Sequence, residues 1–195
     1  MINIAVFASG NGSNFQSIYE ATQSGRLKAN IALVVCNKPD AYVIERAKAC
    51  GIPCFVCSPK NYENKEAYEA AILAELTSAK VEFLVLAGYM RLVGSTLLKP
   101  YKNRIVNIHP SLLPAFPGID AIGQAFDAGV KVIGITVHFV DEGMDTGPII
   151  DQQAIRIEKG DTRETVEARI HEIEHQFYPA VLNELFEQAA VKNRM

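Results

Sequence analysis

Asn107 and His109 stand two apart at the end of an apolar run, in Asn107-Ile108-His109-Pro110. Side chains alternate along an extended strand, so the carboxamide and the imidazole share one face while Ile108 points into packing. Pro110 removes a donor and keeps His109 extended, which ends regular structure just past the imidazole. An amide donor beside an imidazole suits a carbonyl oxygen that becomes an oxyanion. A nearby carboxylate would favour the imidazolium. Asp145, in Asp141-Glu142-Gly143-Met144-Asp145-Thr146-Gly147, is the candidate. The same residues admit a structural reading, with Asn107 capping a turn and His109 hydrogen-bonded in the core.

A second group is the turn Ser9-Gly10-Asn11-Gly12-Ser13-Asn14, between an apolar run and a helical pattern. Glycines let a backbone approach a phosphate, and a helix start supplies unpaired N–H groups with positive partial charge. Phe15 stands where a dinucleotide fingerprint would place its third glycine, and Cys36-Asn37-Lys38 offers no acid for a ribose. The Gly-Lys-Ser/Thr element of a P-loop is also missing. A single phosphate monoester fits better than a pyrophosphate. The alternative is a plain strand-to-helix turn with Ser13 as N-cap.

Two further patterns have the letters of metal sites. His171-Glu172-Ile173-Glu174-His175 matches His-Glu-x-x-His, with both histidines on one helical face. Zinc there would need a cleft and a third ligand, for which Glu184 and Glu187 are available. Cys50, Cys54 and Cys57 have the spacing of some iron–sulfur motifs. Residues 54 and 57 would point to opposite faces of a short strand, which is poor for one cluster. Structural thiols are the expectation, and no metal is expected at either place.

The elements that must position these groups follow from periodicity. Apolar runs predict strands at 2–8, 31–36, 53–56, 83–87 and 105–108. Helical spacing predicts helices at 13–24, 42–50 and 63–79, with a short one near 95–101. That alternation predicts an α/β fold, a Rossmann-like open and mostly parallel sheet with helices on both faces. Two runs, 132–139 and 149–157, flank a Gly/Asp-rich segment too short for a helical crossover, so they predict an antiparallel C-terminal strand pair. A terminal helix is predicted over 162–190, with Thr162 as N-cap.

One domain is expected over 1–195: a phosphate- and nucleotide-binding half (1–105) and a catalytic half (106–195). The 195 residues suffice for an unstapled core, burying roughly 70% of the unfolded surface. Hydrophobic residues at 49% and charged residues at 21% exclude a disordered chain. A net charge of −3 gives no reason to expect nucleic-acid or membrane-surface binding. The longest apolar run, 83–90, falls short of the about 20 residues of a membrane span. With no basic leader at the start, a cytoplasmic protein is expected.

Taken together, these segments resemble the phosphoribosylglycinamide formyltransferase family, tetrahydrofolate-dependent enzymes of purine synthesis. The match spans nearly the whole chain. It comprises Ser9 to Asn14, Leu86-Ala87-Gly88-Tyr89-Met90-Arg91, Asn107 to Pro114, Phe116-Pro117-Gly118, Gly134 to Val140 and Asp145-Thr146-Gly147-Pro148-Ile149. The resemblance implies formyl transfer from 10-formyltetrahydrofolate, as co-substrate, to the amine of 5-phosphoribosylglycinamide. It implies that Asn107, His109 and Asp145 are catalytic. Gly12, Ser13 and Asn14 would hold the phosphate, and His171 and Glu174 would face the ribonucleotide, Glu174 on the ribose. Met90, Arg91, Leu92 and Val93 would lie along the pterin, with Val140, Asp141, Glu142, Gly143, Met144 and Asp145 wrapping it. Lys65 would sit near the glutamate tail. A monomer or homodimer is expected, with only small-molecule partners. A formyltetrahydrofolate hydrolase would carry an additional N-terminal domain, and a methionyl-tRNA formyltransferase an additional basic one. A non-catalytic phosphate-binding module would need the turn but not Asn107, His109 or Asp145.

Overall fold

The computed structural model describes residues 1–192. Seven strands form one sheet in the order β3-β2-β1-β4-β5-β6-β7. They are β1 (Ile2–Ala8), β2 (Ala29–Cys36), β3 (Cys54–Val56), β4 (Phe83–Leu86), β5 (Ile105–His109), β6 (Val132–Phe139) and β7 (Ile149–Arg156). The first five pair in parallel; β6 is antiparallel to both β5 and β7. The central strand β1 is apolar on both faces because both are covered. Ile4, Val6 and Ala8 enter one core, and Ala5 and Phe7 the other.

The first core is closed by α1 (Ser13–Gln23), α2 (Val43–Ala49), α5 (Ala121–Asp127) and α6 (Arg163–Lys192). The second is closed by α3 (Lys65–Ser78) and α4 (Ser95–Leu98). Tyr178 of α6 is fully buried and donates to the carbonyls of Leu86 at 3.0 Å and Val106 at 3.1 Å. It thereby ties the carboxyl end of β4 to β5, one residue before Asn107. Among the described residues, no helix is long and apolar enough to cross a membrane.

Three details differ from the sequence expectations. Helix α5 was not expected; its seven residues include Gly123, and the helix forms because Ile122 and Ala125 are buried in the first core. Gly12 rather than Ser13 caps α1, at φ +77 and with no side-chain cap. A Cβ there would lie 2.6 Å from Val43, so the turn needs glycine both for its conformation and for the close approach of α2. Several helices are also shorter at their ends than their apolar spacing suggests. Thr162 does act as expected, its hydroxyl accepting from the Thr165 N–H at 3.3 Å. The four cysteines are free thiols, and burial pushes Cys54 and Cys57 up to about 11. The expected domain runs to Met195; residues 193–195 lie outside the described ones.

Candidate active site

In the sheet order, β1 lies between β2 and β4, so the chain leaves β1 toward one side and β4 toward the other. Open α/β sheets place ligands in the crevice at such a switch point, outside the carboxyl ends of the strands. The turn after β1 and the loop after β4 both open there. Ser9 joins them: its N–H donates to the Gly88 carbonyl at 3.1 Å, and its Oγ accepts from the Met90 N–H at 2.9 Å.

His109 ends β5 and is 5% exposed. Its Nδ1 lies 3.4 Å from Asp145 Oδ2, and its Nε2 2.9 Å from the Phe116 carbonyl. Both ring nitrogens therefore face oxygen acceptors. Asp145 Oδ2 also accepts from the Gly118 N–H at 2.8 Å. Burial acts to raise the Asp145 pKa. The His138 contact, the Gly118 N–H and the nearby histidines outweigh it, and hold the carboxyl below its usual value. Asp145 and Phe116, the two residues that contact the His109 ring, both have left-handed backbones at φ +56 and φ +53. Such conformations cost on the order of 1–3 kcal/mol each and persist where surrounding structure enforces them.

Asn107 shares the His109 face of β5 and pairs in register with His138 on β6. Its Nδ2 lies 3.2 Å from His138 Nε2. His138 Nδ1 faces the Phe139 carbonyl at 2.8 Å and Nε2 lies 3.6 Å from Asp145 Oδ1. The β6–β7 register shifts between Val137 and His138, with the extra residue on β7. His138 is thus a member of the cluster that sequence reasoning did not single out. Its signal is cross-strand register, which one strand's sequence does not carry.

The segment 140–147 returns the chain to this cluster. Asp141 Oδ1 closes it, accepting from the Gly143 N–H at 3.0 Å and the Thr146 hydroxyl at 2.7 Å. Val140 packs against the second core, while Met144 is half exposed. Met144 Sδ lies 3.0 Å from where a Gly118 Cβ would stand, which puts an apolar side chain beside the Gly118–Asp145 bond. Glu142 is exposed.

At the other end, Asn14 Nδ2 donates to Glu174 Oε2 at 3.1 Å, and His171 Nδ1 lies 2.9 Å from the same oxygen. Glu174 is buried, and Asn14 Oδ1 is a buried acceptor without a protein partner. The contact with Glu174, partly offset by burial, raises the His171 pKa. Burial lowers that of His175, whose Nε2 is buried and unpaired. The two histidines of the His-x-x-x-His pattern thus shift in opposite directions. Among the described residues, no group of three or more His, Cys, Asp or Glu is placed to hold a metal ion. A groove of about 570 Å³ runs beside this end, lined by residues including Ser13, Arg46 and His175. Arg46 donates to the Asn11 carbonyl at 2.9 Å and to Asn11 Oδ1 at 3.0 Å, clamping the glycine turn.

The loop after β4 leaves Met90, Arg91 and Leu92 exposed, whereas Val93 is buried in the second core. The Arg91 guanidinium lies 5.3 Å over the Tyr68 ring. Glu69, a buried carboxylate on α3, accepts from the Gly94 N–H at 2.6 Å. Lys65 Nζ lies 3.9 Å from the same Glu69 oxygen, so α3 brings Lys65 to the base of the loop.

Residues 2–182 match the model of a family described as formyl transferase. The chain is 62% identical to the phosphoribosylglycinamide formyltransferase of Bacillus subtilis (strain 168), over 95% of each chain. It is 37% identical to the enzyme of that name from Escherichia coli (strain K12), over 93% of this chain and 86% of the other. Among solved structures, glycinamide ribonucleotide transformylase 1 from Geobacillus kaustophilus superposes with a TM-score of 0.93. It is 57% identical, over 95% of this chain and 98% of that one.

Proposed function

The chain belongs to the formyl transferase family, and on that premise we propose that it transfers the formyl group of 10-formyltetrahydrofolate to the amine of 5-phosphoribosylglycinamide, a step of purine biosynthesis. The observation that carries the reading is the meeting of Asn107, His109 and Asp145 at the carboxyl end of β5, with Asp145 Oδ2 3.4 Å from the imidazole. Such a group has no use in a module that only binds phosphate.

The donor side fits a flat ring with a polar edge. Met90, Leu92 and Met144 present exposed apolar side chains, and the main chain of Arg91 and Leu92 lies outside regular elements. Val93 anchors this loop from the core, while Val140 to Met144 would close over the ring from the other side, with Lys65 toward the glutamate tail. Gly12, Ser13 and Asn14 would hold the phosphate at the start of α1, where N–H groups and the helix dipole favour an anion. The buried Asn14 Oδ1 would accept from a ribose hydroxyl, with Glu174 and His171 beside it. In this reading the half 1–105 supplies the phosphate site, and the half 106–195 the reaction centre.

The bound formyl donor supplies an activated one-carbon unit, which the substrate amine attacks. Asn107 Nδ2 and a protonated His109 stabilise the negative charge that develops on the formyl oxygen. Asp145 orients the His109 ring and balances its charge, and the Gly118 N–H holds Asp145 in turn. The amine's proton leaves toward the departing nitrogen, directly or through water. The chain needs no covalent intermediate. The test is formyl transfer by the purified protein with glycinamide ribonucleotide present or replaced by water. Transfer that requires the ribonucleotide is expected. Equal release of formate in its absence would mark a hydrolase, and no turnover of the donor a binding module.

A further inference from the structure

Ser9 is the last residue before the glycine turn, and it is 3% exposed. A hydroxyl has one proton to give and two lone pairs to offer. Its proton goes to Asn37 Oδ1, 2.5 Å away at the end of β2. Asn37 is itself buried. With the proton committed there, a lone pair is left to accept from the Met90 N–H at 2.9 Å. The Ser9 N–H donates to the Gly88 carbonyl at 3.1 Å. One buried residue therefore fixes two points of the loop after β4 while its own chain continues into the turn at Gly10–Asn14. The loop's other polar supports come from α3, through Glu69 on Gly94 and Tyr68 on Tyr89 at 2.7 Å, while Phe7 of β1 packs edge-on against Tyr89. Among these supports only Ser9 ties the loop to the turn.

We propose that Ser9 is a positioning residue that sets the donor-side loop against the phosphate-side turn, so that the two substrates meet at a fixed spacing. Its hydroxyl touches neither substrate. Asn37 orients that hydroxyl. The proposal rests on the assignment of the 90–93 loop to the folate.

The test uses the full chain with Ser9→Ala, Asn37→Ala and the double variant. Tetrahydrofolate and glycinamide ribonucleotide are the probes, with binding read by calorimetry and amide exchange by NMR. Ser9→Ala should weaken tetrahydrofolate binding roughly three- to tenfold, the range of one net hydrogen bond. Ribonucleotide affinity should stay within about twofold, and the Met90 amide should exchange faster while Val6 and Val85 in the core do not. Asn37→Ala should give a smaller loss of the same kind, and the double variant should match Ser9→Ala because both act through one hydroxyl. Should Ser9→Ala not fold, Asn37→Ala keeps the hydroxyl but frees its proton, and carries the same comparison.

Unchanged Met90 exchange with unchanged tetrahydrofolate binding would overturn the proposal. So would a uniform loss of both affinities and of core protection, since that marks a merely structural residue. Failure of the wild-type protein to bind tetrahydrofolate would instead remove the donor assignment and the substrate spacing with it; faster Met90 exchange would still locate the tether at Ser9.

Discussion

The chain holds two histidine groups that look equally chemical on paper, and the fold treats them differently. At His109 the partners come from distant segments: Phe116 and Asp145 meet the ring, Asn107 lies beside it, and His138 reaches in from β6. At His171 and His175 the pattern lies within one helix, and the two rings take up different surroundings. His171 is engaged by Glu174 and nearly half exposed, while His175 is half-buried with an unpaired nitrogen. Spacing along a helix makes a motif, but convergence across the sheet brings reactive groups from distant segments together. The second group meets the glycine turn through Glu174, which Asn14 also contacts.

The largest effect should fall on the first group. Asp145→Asn keeps the shape but removes the charge beside His109; turnover should fall about 10²- to 10³-fold, the scale of a lost proton-handling group. His171→Gln, measured in the same assay, should raise the KM for the ribonucleotide and leave turnover within about tenfold. Equal losses in kcat at both positions would erase the distinction. Asp145 also gives a pH signature. Its folded-state pKa is depressed, so its contribution to stability is present above its unfolded value and lost as pH falls through the folded one. Denaturant unfolding of wild type and Asp145→Asn should therefore converge in acid and part toward neutral pH.

A smaller effect is expected where the turn meets α2. Gly12→Ala forces a side chain into a left-handed backbone and against Val43. It should destabilise the protein by about 1–3 kcal/mol in denaturant titration and weaken ribonucleotide binding, with donor binding retained. The smallest effect sharpens the second group. NMR titration should find His171 above the ordinary histidine value and His175 below it. In Glu174→Gln the His171 value should fall back. Because that pair is stronger with His171 charged, its stabilising contribution is present below the unfolded histidine pKa and fades as pH rises through the folded one. It should be under about 1 kcal/mol, since the ring is nearly half exposed.

These contrasts also show what a single chain's sequence can carry. Strands β1, β2, β4, β5 and β6 were legible because burial on both faces leaves runs that are mostly apolar. The pair Asn107 and His109 was legible because strand alternation is local. Asp145 was suggested by chemistry, but its approach to His109 depends on the antiparallel return of β6 and the loop that follows, which no local pattern encodes. His138 was missed for the same reason, since its partner in register lies on another strand. Helix α5 was missed because it is only seven residues long with a glycine inside it, too short for a clear helical period, and it packs against α6. The alternative reading of the turn had Ser13 as its cap; the packing of Val43 on Gly12 decides that position instead.

The most direct measurement is steady-state formyl transfer to glycinamide ribonucleotide by Asn107→Ala and His109→Ala, with ribonucleotide binding followed in parallel. The geometry predicts a fall in turnover of about 10²–10³-fold in Asn107→Ala, a comparable or larger one in His109→Ala, and near-native ribonucleotide affinity in both. Near-native turnover in both variants would contradict it.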